Sequence, residues 1–336
     1  MSLTNRIASA DASLATTQWA FRNRIINGNC NIAQRPSFLA APGTSGYGGP
    51  DRYFAANMNS ADGEFTQSQG SITYNGVMYN AVTQTVNTPV TSTTTTNYWS
   101  GISQAIEGYN VYNLLGGPVA LSFVFETNVS GTYSVAVSDY TRTNSYVTTF
   151  MATASTPVKV MIPLSMLPPT LTTPNTSAGG LWINVGALNT GTYQATTLNT
   201  WETGNYISAF GATNWGITAG NYIALTDLQL EAGFTATSFE NRSYGQEFAL
   251  CQRYYQMFVS LMTQGYQGTG AVVYNDFTLP VTMRVVATYT ATNTTYANAS
   301  GFYVPNVYLN HFLTYIMVTA TGYGYAQSTL GFSAEL

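Results

Sequence analysis

Apolar and polar residues in this chain follow two different periods, and the change of period marks its organisation. From Ala224 to Leu230 the residues Ala224, Thr226, Leu228 and Leu230 interleave with Leu225, Asp227 and Gln229, a strand pattern that is polar on at most one face. Beyond Ser243 the period lengthens. Tyr244, Phe248, Cys251, Tyr255 and Phe258 recur at spacings of four and three and share a helical face, behind a Ser243/Gln246 pair that fits a capping box. This predicts the last strand of one domain followed by a linking helix over 243–262.

From Arg24 to Arg242 the pattern is strand, turn, strand. Ala120–Thr127, Thr132–Ser138, Tyr146–Met151, Val158–Leu164, Leu181–Leu188 and Tyr222–Leu230 are rich in Val, Ile, Phe, Tyr and Thr and are bounded by Gly, Pro, Asn or Ser. With no helical pattern between them, these strands predict an all-β fold over 23–242, a jelly-roll β-sandwich rather than alternating α/β units. Stretches 41–50, 87–97 and 167–180 read as long surface loops. Downstream, Gly265–Gly270 is a turn and 271–292, 300–321 and 323–335 are strand-like, giving a smaller C-terminal β domain over 263–336. At the other end Leu3, Ile7, Ala10, Leu14, Thr17 and Phe21 are spaced by four and three, predicting a helical arm over 1–22. That seam is short, so it suits a docking stem or an ordinary amphipathic helix packed on the next domain.

Composition narrows the function. Charged residues make up 7% of the chain and aromatics 14%, with one lysine, Lys159, and one histidine, His311. Globular chains carry about 25% charged residues, so this surface must be polar but nearly uncharged, as suits a partner that is a hydrated glycan or another subunit, or as drift leaves in a protein that never needs colloidal stability in a cytosol. Net charge is −4 and the basic residues are scattered, which gives no footprint for nucleic acid. No apolar run of about 18 residues predicts a membrane helix, and no signal peptide is legible, so synthesis in a cytosol, with retention there or release by lysis, is expected. Cys30 and Cys251 lie in apolar settings; buried thiols are expected, a bond between the two being the alternative. One histidine excludes most His-based triads and His-rich metal sites, and no phosphate-binding Gly-rich motif is present. A catalytic carboxylate pair is not excluded, but no repeat like that of a β-helical depolymerase is visible, so the chain reads as a non-enzyme. The C-terminal domain is near the lower size limit for an independent core and has almost no charge to guard its sheet edges, so a homo-oligomer is expected.

Several segments carry a family resemblance. Gln229-Leu-Glu-Ala-Gly233 followed by Phe239-Glu-Asn-Arg-Ser-Tyr-Gly-Gln-Glu-Phe-Ala-Leu-Cys-Gln-Arg-Tyr-Tyr255 resembles a segment of a tailed-bacteriophage virion family. Ile26–Arg35, Asp51-Arg-Tyr53, Ser103–Gly108, Leu279–Arg284 and Phe332–Leu336 agree with it in order, covering the chain from about residue 24 onward. The resemblance implies a virion protein, assembled as a homotrimer, that is a tail-fibre or fibre-tip component recognising host surface carbohydrate; a head-fibre or capsid-cement protein is the alternative, and a glycan depolymerase a more distant one. It also implies a structural Ca²⁺ stapling first strand to last, with Asn27, Asn29 and Asp227 as candidate ligands. Among the aromatics, Trp201, Tyr206 and Trp215 lie among Asn, Thr and Gly and, with Tyr193 and Tyr109, are the candidates to hold a sugar ring. Trp99 and Trp182 sit in strand-like text and read as core. Asp51 with Arg52, and Glu240 with Arg242 and Arg253, read as structural ion pairs.

Overall fold

β-Branched and aromatic runs find partners far away in sequence, and most of the chain becomes antiparallel sheet. The computed structural model describes residues 21–58, 62–91, 101–188 and 191–336; the expected N-terminal arm and Trp99 lie outside the described residues. In chain order the first domain contains β1 (Phe38–Ala40), β2 (Thr44–Tyr47), β3 (Phe54–Asn57), β4 (Glu64–Tyr74), β5 (Val77–Thr88), β6 (Ile102–Glu107), β7 (Pro118–Thr127) and β8 (Gly131–Asp139). It continues with β9 (Asn144–Ala152), β10 (Val158–Met166), β11 (Gly179–Val185), β12 (Gln194–Ala195), β13 (Trp201–Thr203), β14 (Ser208–Ala209) and β15 (Tyr222–Ala232).

These strands form one sheet ordered β1-β4-β5-β15-β7-β10 and a second ordered β13-β9-β8-β11-β6-β3-β2. Their inner faces meet in a core where Val82, Leu121, Phe123 and Phe125 oppose Tyr133, Val135, Val137, Leu181, Ile183 and Val185. This is the expected all-β jelly-roll sandwich; five of the six strand stretches read from sequence lie within observed strands, and the sixth, Leu181–Leu188, runs three residues past the end of β11 at Val185. The longest hairpin, β4–β5, turns on Asn75 and Gly76, both at positive φ (50° and 78°), the geometry that a two-residue turn between right-twisted strands requires.

β15 departs from simple alternation. Its register against β7 shifts between Thr226 and Gln229, and Asp227 takes φ 52°, so a bulge switches the parity. Leu225 and Leu228, three apart, therefore both reach the core, as does Leu230.

The outer face of the second sheet is covered by the chain's own 191–212 segment. Tyr193, Ala195, Leu198, Tyr206, Ile207 and Ala209 pack over Phe54, Ala56, Ala136 and Val147. Hydrogen bonds pin this cover: the Ala209 N–H donates to Ser134 Oγ at 2.8 Å and the Tyr206 N–H to Ser145 Oγ at 3.0 Å.

The linking helix is shorter than its periodicity predicts. α1 spans Tyr244–Gln252 behind the expected Ser243/Gln246 capping box, and Tyr255 and Phe258 instead begin strand β16 (Tyr255–Gln267). Tyr255–Phe258 pair with Leu330–Ser333, so sheet hydrogen bonds from the chain's far end override local helical spacing. The remaining strands are β17 (Val272–Thr278), β18 (Thr288–Ala297), β19 (Ala299–Val307), β20 (His311–Val318) and β21 (Gly322–Ser333). They form two small sheets, β16-β21-β18 and β17-β20-β19, around Leu279, Met283, Phe312, Leu330 and Phe332. Residues 279–287, expected as strand, instead cross between the sheets.

Candidate functional site

The segments that carry the family resemblance converge on the junction between the two domains. Arg35 and Arg52, from the first domain, both pair with Glu335; the Arg35 contact is 2.8 Å. The two guanidinium groups also lie over the rings of Tyr255 (3.8 Å) and Tyr254 (3.5 Å). Arg284 donates to the carbonyls of Ala334 and Glu335, each at 2.9 Å, and to Ser177 O at 2.5 Å. Gln104 exchanges hydrogen bonds with the backbone of Ile26, and the Asn27 N–H donates to Glu247 Oε1 at 2.5 Å. The ion pairs thus differ from expectation. Asp51 accepts from Gln34 (2.6 Å to the side-chain amide) while Arg52 goes to Glu335; Arg253 pairs with Glu107, and only Glu240 with Arg242 (3.1 Å) matches the sequence reading.

Beside this junction lies a groove made of two adjoining cavities, of about 790 and 320 Å³. Phe21, Leu250 and Arg253 line both; the larger adds Glu240, Arg242, Gln246 and Val281, and the smaller adds Ile26, Glu107, Tyr109, Asn110 and Tyr254. Its chemistry comes from the end of β6. Glu107, buried, closes that strand, and the next residues make one helical turn, Gly108–Val111, that presents Tyr109 outward. Gly108 is required there because a Cβ would lie 1.8 Å from Pro174 O. The turn is held by N–H groups of Gly108 and Tyr109 donating to Ala178 O and Thr176 O. Glu107 accepts from Arg253 Nε (3.2 Å) and Nη2 (2.7 Å) and from the Tyr254 hydroxyl (2.7 Å). Burial, partly offset by Arg52, holds the Tyr254 hydroxyl far above its ordinary range, so it remains a donor.

Of the five aromatic candidates only Tyr109 is both open to solvent (52% exposed) and beside a cavity; Tyr112, 42% exposed, follows it. Trp215 is the opposite case and corrects the surface reading. It is completely buried, its indole N–H donates to Gly186 O at 2.8 Å and its ring packs against Phe65 at 5.4 Å. An indole this large fills the end of the sandwich core and has no face left for a ligand. Tyr193 and Tyr206 are half-buried in the cover over the second sheet, and Trp201 lies half-buried on an edge strand with its ring 5.8 Å from that of Tyr146. The five residues do not form one site. Trp182 is buried, as read, but on the outer face of its sheet, stacked on Tyr140 (5.8 Å) beneath Arg142 (4.9 Å).

The residues expected to hold a stapling calcium carry hydrogen bonds of their own. The Asn27 amide donates to Ile32 O (2.8 Å) and Asp51 O (3.0 Å), and its oxygen accepts the Ile32 N–H (3.0 Å). Asn29 caps its own loop through Asn31, and burial raises the Asp227 carboxyl above its usual range despite Lys159 nearby. Backbone hydrogen bonds join the first and last stretches of the domain: Arg24 N–H to Leu230 O at 2.8 Å and Leu228 N–H to Gly28 O at 3.0 Å. Among the described residues no three His, Cys, Asp or Glu side chains gather as a metal site. Cys30 and Cys251 are both free and buried, as expected of inert thiols, and burial pushes Cys30 up to about 12.

No protein-family model matches the chain, and no curated protein sequence matches it. Solved structures do overlap it. The enzymatically active domain of bacteriophage CBA120 tailspike protein 4 covers 63% of this chain at 12% identity and a TM-score of 0.33, with the chain spanning 22% of that protein. TmCBM61, solved with β-1,4-galactotriose, overlaps 63% of this chain and 99% of its own at 13% identity and a TM-score of 0.27. The CBM22-1 xylan-binding domain of Paenibacillus barcinonensis Xyn10C overlaps 61% of this chain and 100% of its own at 11% identity and a TM-score of 0.27.

Proposed function

We propose that this chain is a bacteriophage virion protein, a tail-fibre or fibre-tip component that binds host surface carbohydrate without cleaving it. The observation that carries the binding reading is Tyr109, an exposed ring fixed at the mouth of a groove whose other walls supply an amide, Asn110, and a guanidinium, Arg253. A sugar offers a C–H face and a rim of hydroxyls; a flat aromatic flanked by directional polar groups complements both. The virion assignment rests on the family resemblance of the junction segments.

Weak single sites become strong attachment when copies are joined. The C-terminal sandwich supports such assembly, with copies of this chain as the partner. One outer face of β16-β21-β18 carries Tyr266, Tyr323, Tyr325, Gln264, Gln327 and Met262 in paired rows without a charge. Tyrosine and methionine without lysine or glutamate is the composition of interface cores.

The reading is tested with purified protein added to host cells before phage and against surface polysaccharide in solution. Tyr109→Ala is expected to fold normally and weaken polysaccharide binding about tenfold, about 1.4 kcal/mol. Wild-type protein that neither binds polysaccharide nor blocks adsorption overturns the proposal, and antibody labelling on the phage head would favour the capsid-cement reading.

A further inference from the structure

We infer that the saccharide taken by this groove carries a carboxylate, and that Arg253 is the residue that reads it. The inference rests on the carbohydrate reading above and specifies its ligand. A guanidinium has two forks of paired N–H donors. The Nε/Nη2 fork of Arg253 is spent on Glu107. The remaining edge, Nη1 with the second Nη2 hydrogen, has no partner among the described residues, although the side chain is 32% exposed and lines both cavities of the groove.

Glu107 fixes this orientation without cancelling it at the surface. Its carboxylate is 2% exposed and lies on the protein side of the pair, held also by the Tyr254 hydroxyl, so the end that meets solvent is the cationic one. The other groove carboxylate, Glu240, does not compete for Arg253: it accepts the N–H groups of Arg22 (3.2 Å) and Asn23 (2.7 Å) and pairs with Arg242. Arg242 is itself committed to Glu247 and to the carbonyls of Asn23 and Ile25, which leaves Arg253 as the groove cation with open donors. A locked planar fork with an open edge is the geometry that grips a carboxylate bidentately, at little cost in side-chain entropy. Tyr109 lines the same smaller cavity, so a pyranose stacked on its ring can place a ring carboxylate at Arg253 and hydroxyls at Asn110. The class of ligand is therefore a uronic acid or another carboxylated sugar within a surface polysaccharide.

The experiment uses the full chain and a panel of uronate- and sialate-containing oligosaccharides, each paired with its carboxyl-reduced alcohol, titrated by calorimetry at low and raised salt. The acid forms are expected to bind about tenfold tighter than their reduced partners, with the gap narrowing as salt rises. Tyr109→Ala is expected to weaken both members of a pair equally. Arg253→Lys, which keeps the charge but loses the fork, is expected to erase most of the preference, lowering the affinity for the acid form far more than that for its reduced partner. Equal affinity for acid and reduced forms, both still lowered by Tyr109→Ala, overturns the carboxylate inference and leaves the carbohydrate reading standing. Binding of neither form overturns both.

Discussion

The outer face of the second jelly-roll sheet and the outer face of the β16-β21-β18 sheet are built from the same kind of strand but end differently. The first presents large aromatics, Phe54 and Trp182, in one part and small residues, Ala56, Ala136 and Val147 with Ser134 and Ser145 between them, in another, and the chain folds its own 191–212 segment across the small ones. The second presents Tyr266, Tyr323 and Met262, all exposed. Small side chains with hydroxyl acceptors let backbone approach and dock. Large tyrosines and methionine keep backbone away and leave this face exposed. The face covered in cis and the face left exposed thus differ in side-chain size where the cover docks.

This comparison can be broken at several points. The largest effects are expected inside the domains and at their junction. Trp215→Ala should cost about 3–5 kcal/mol, as truncating a core Trp does, and calorimetry should place the loss in the jelly-roll transition; a change within error would return Trp215 to the surface. Glu335→Ala strands two arginines, one of them fully buried, and should cost about 3–5 kcal/mol, splitting one melting transition into two as the domains uncouple.

The next effect is on pH. A thiol raised by burial binds its proton more tightly folded than unfolded. With Cys30 pushed up to about 12 from an ordinary 9.0, stability is fully present below 9, falls as pH rises between these values, and native protein resists alkylation at pH 9. Rapid labelling of the native thiol would contradict its burial. The smallest effect on the fold is expected on the bare face. Met262→Glu should change monomer stability by less than about 0.5 kcal/mol yet lower the mass seen by light scattering; unchanged mass, or a wild-type monomer, would remove the contrast between the two faces.

Residue by residue, the sequence was readable where a signal was local. The capping box at Ser243 and Gln246 formed, and strands such as Pro118–Thr127 lie where the Val, Leu and Phe run placed them. The β4–β5 hairpin was also legible through its Asn75-Gly76 turn, though it does not stand among the strands read from sequence. Reading failed where the deciding partner is remote. Tyr255 and Phe258 keep helical spacing with Tyr244, but their hydrogen bonds go to residues 330–333. Trp215 sits among Asn, Gly and Thr, polar neighbours that look like surface, because only the side chain of that short helical turn enters the core.

The sequence alone therefore determined the all-β class, the jelly-roll text, the inert thiols and the second β domain, because alternation, turns and apolar surroundings act over a few residues. Tertiary structure alone decided that the resemblance-bearing segments meet at one junction, that Glu335 rather than Asp51 neutralises Arg52, and that Tyr109 rather than Trp215 is open to a ligand. Those outcomes depend on which side chains lie opposite one another across hundreds of residues, and burial and charge pairing are properties of that juxtaposition, not of any short stretch of chain.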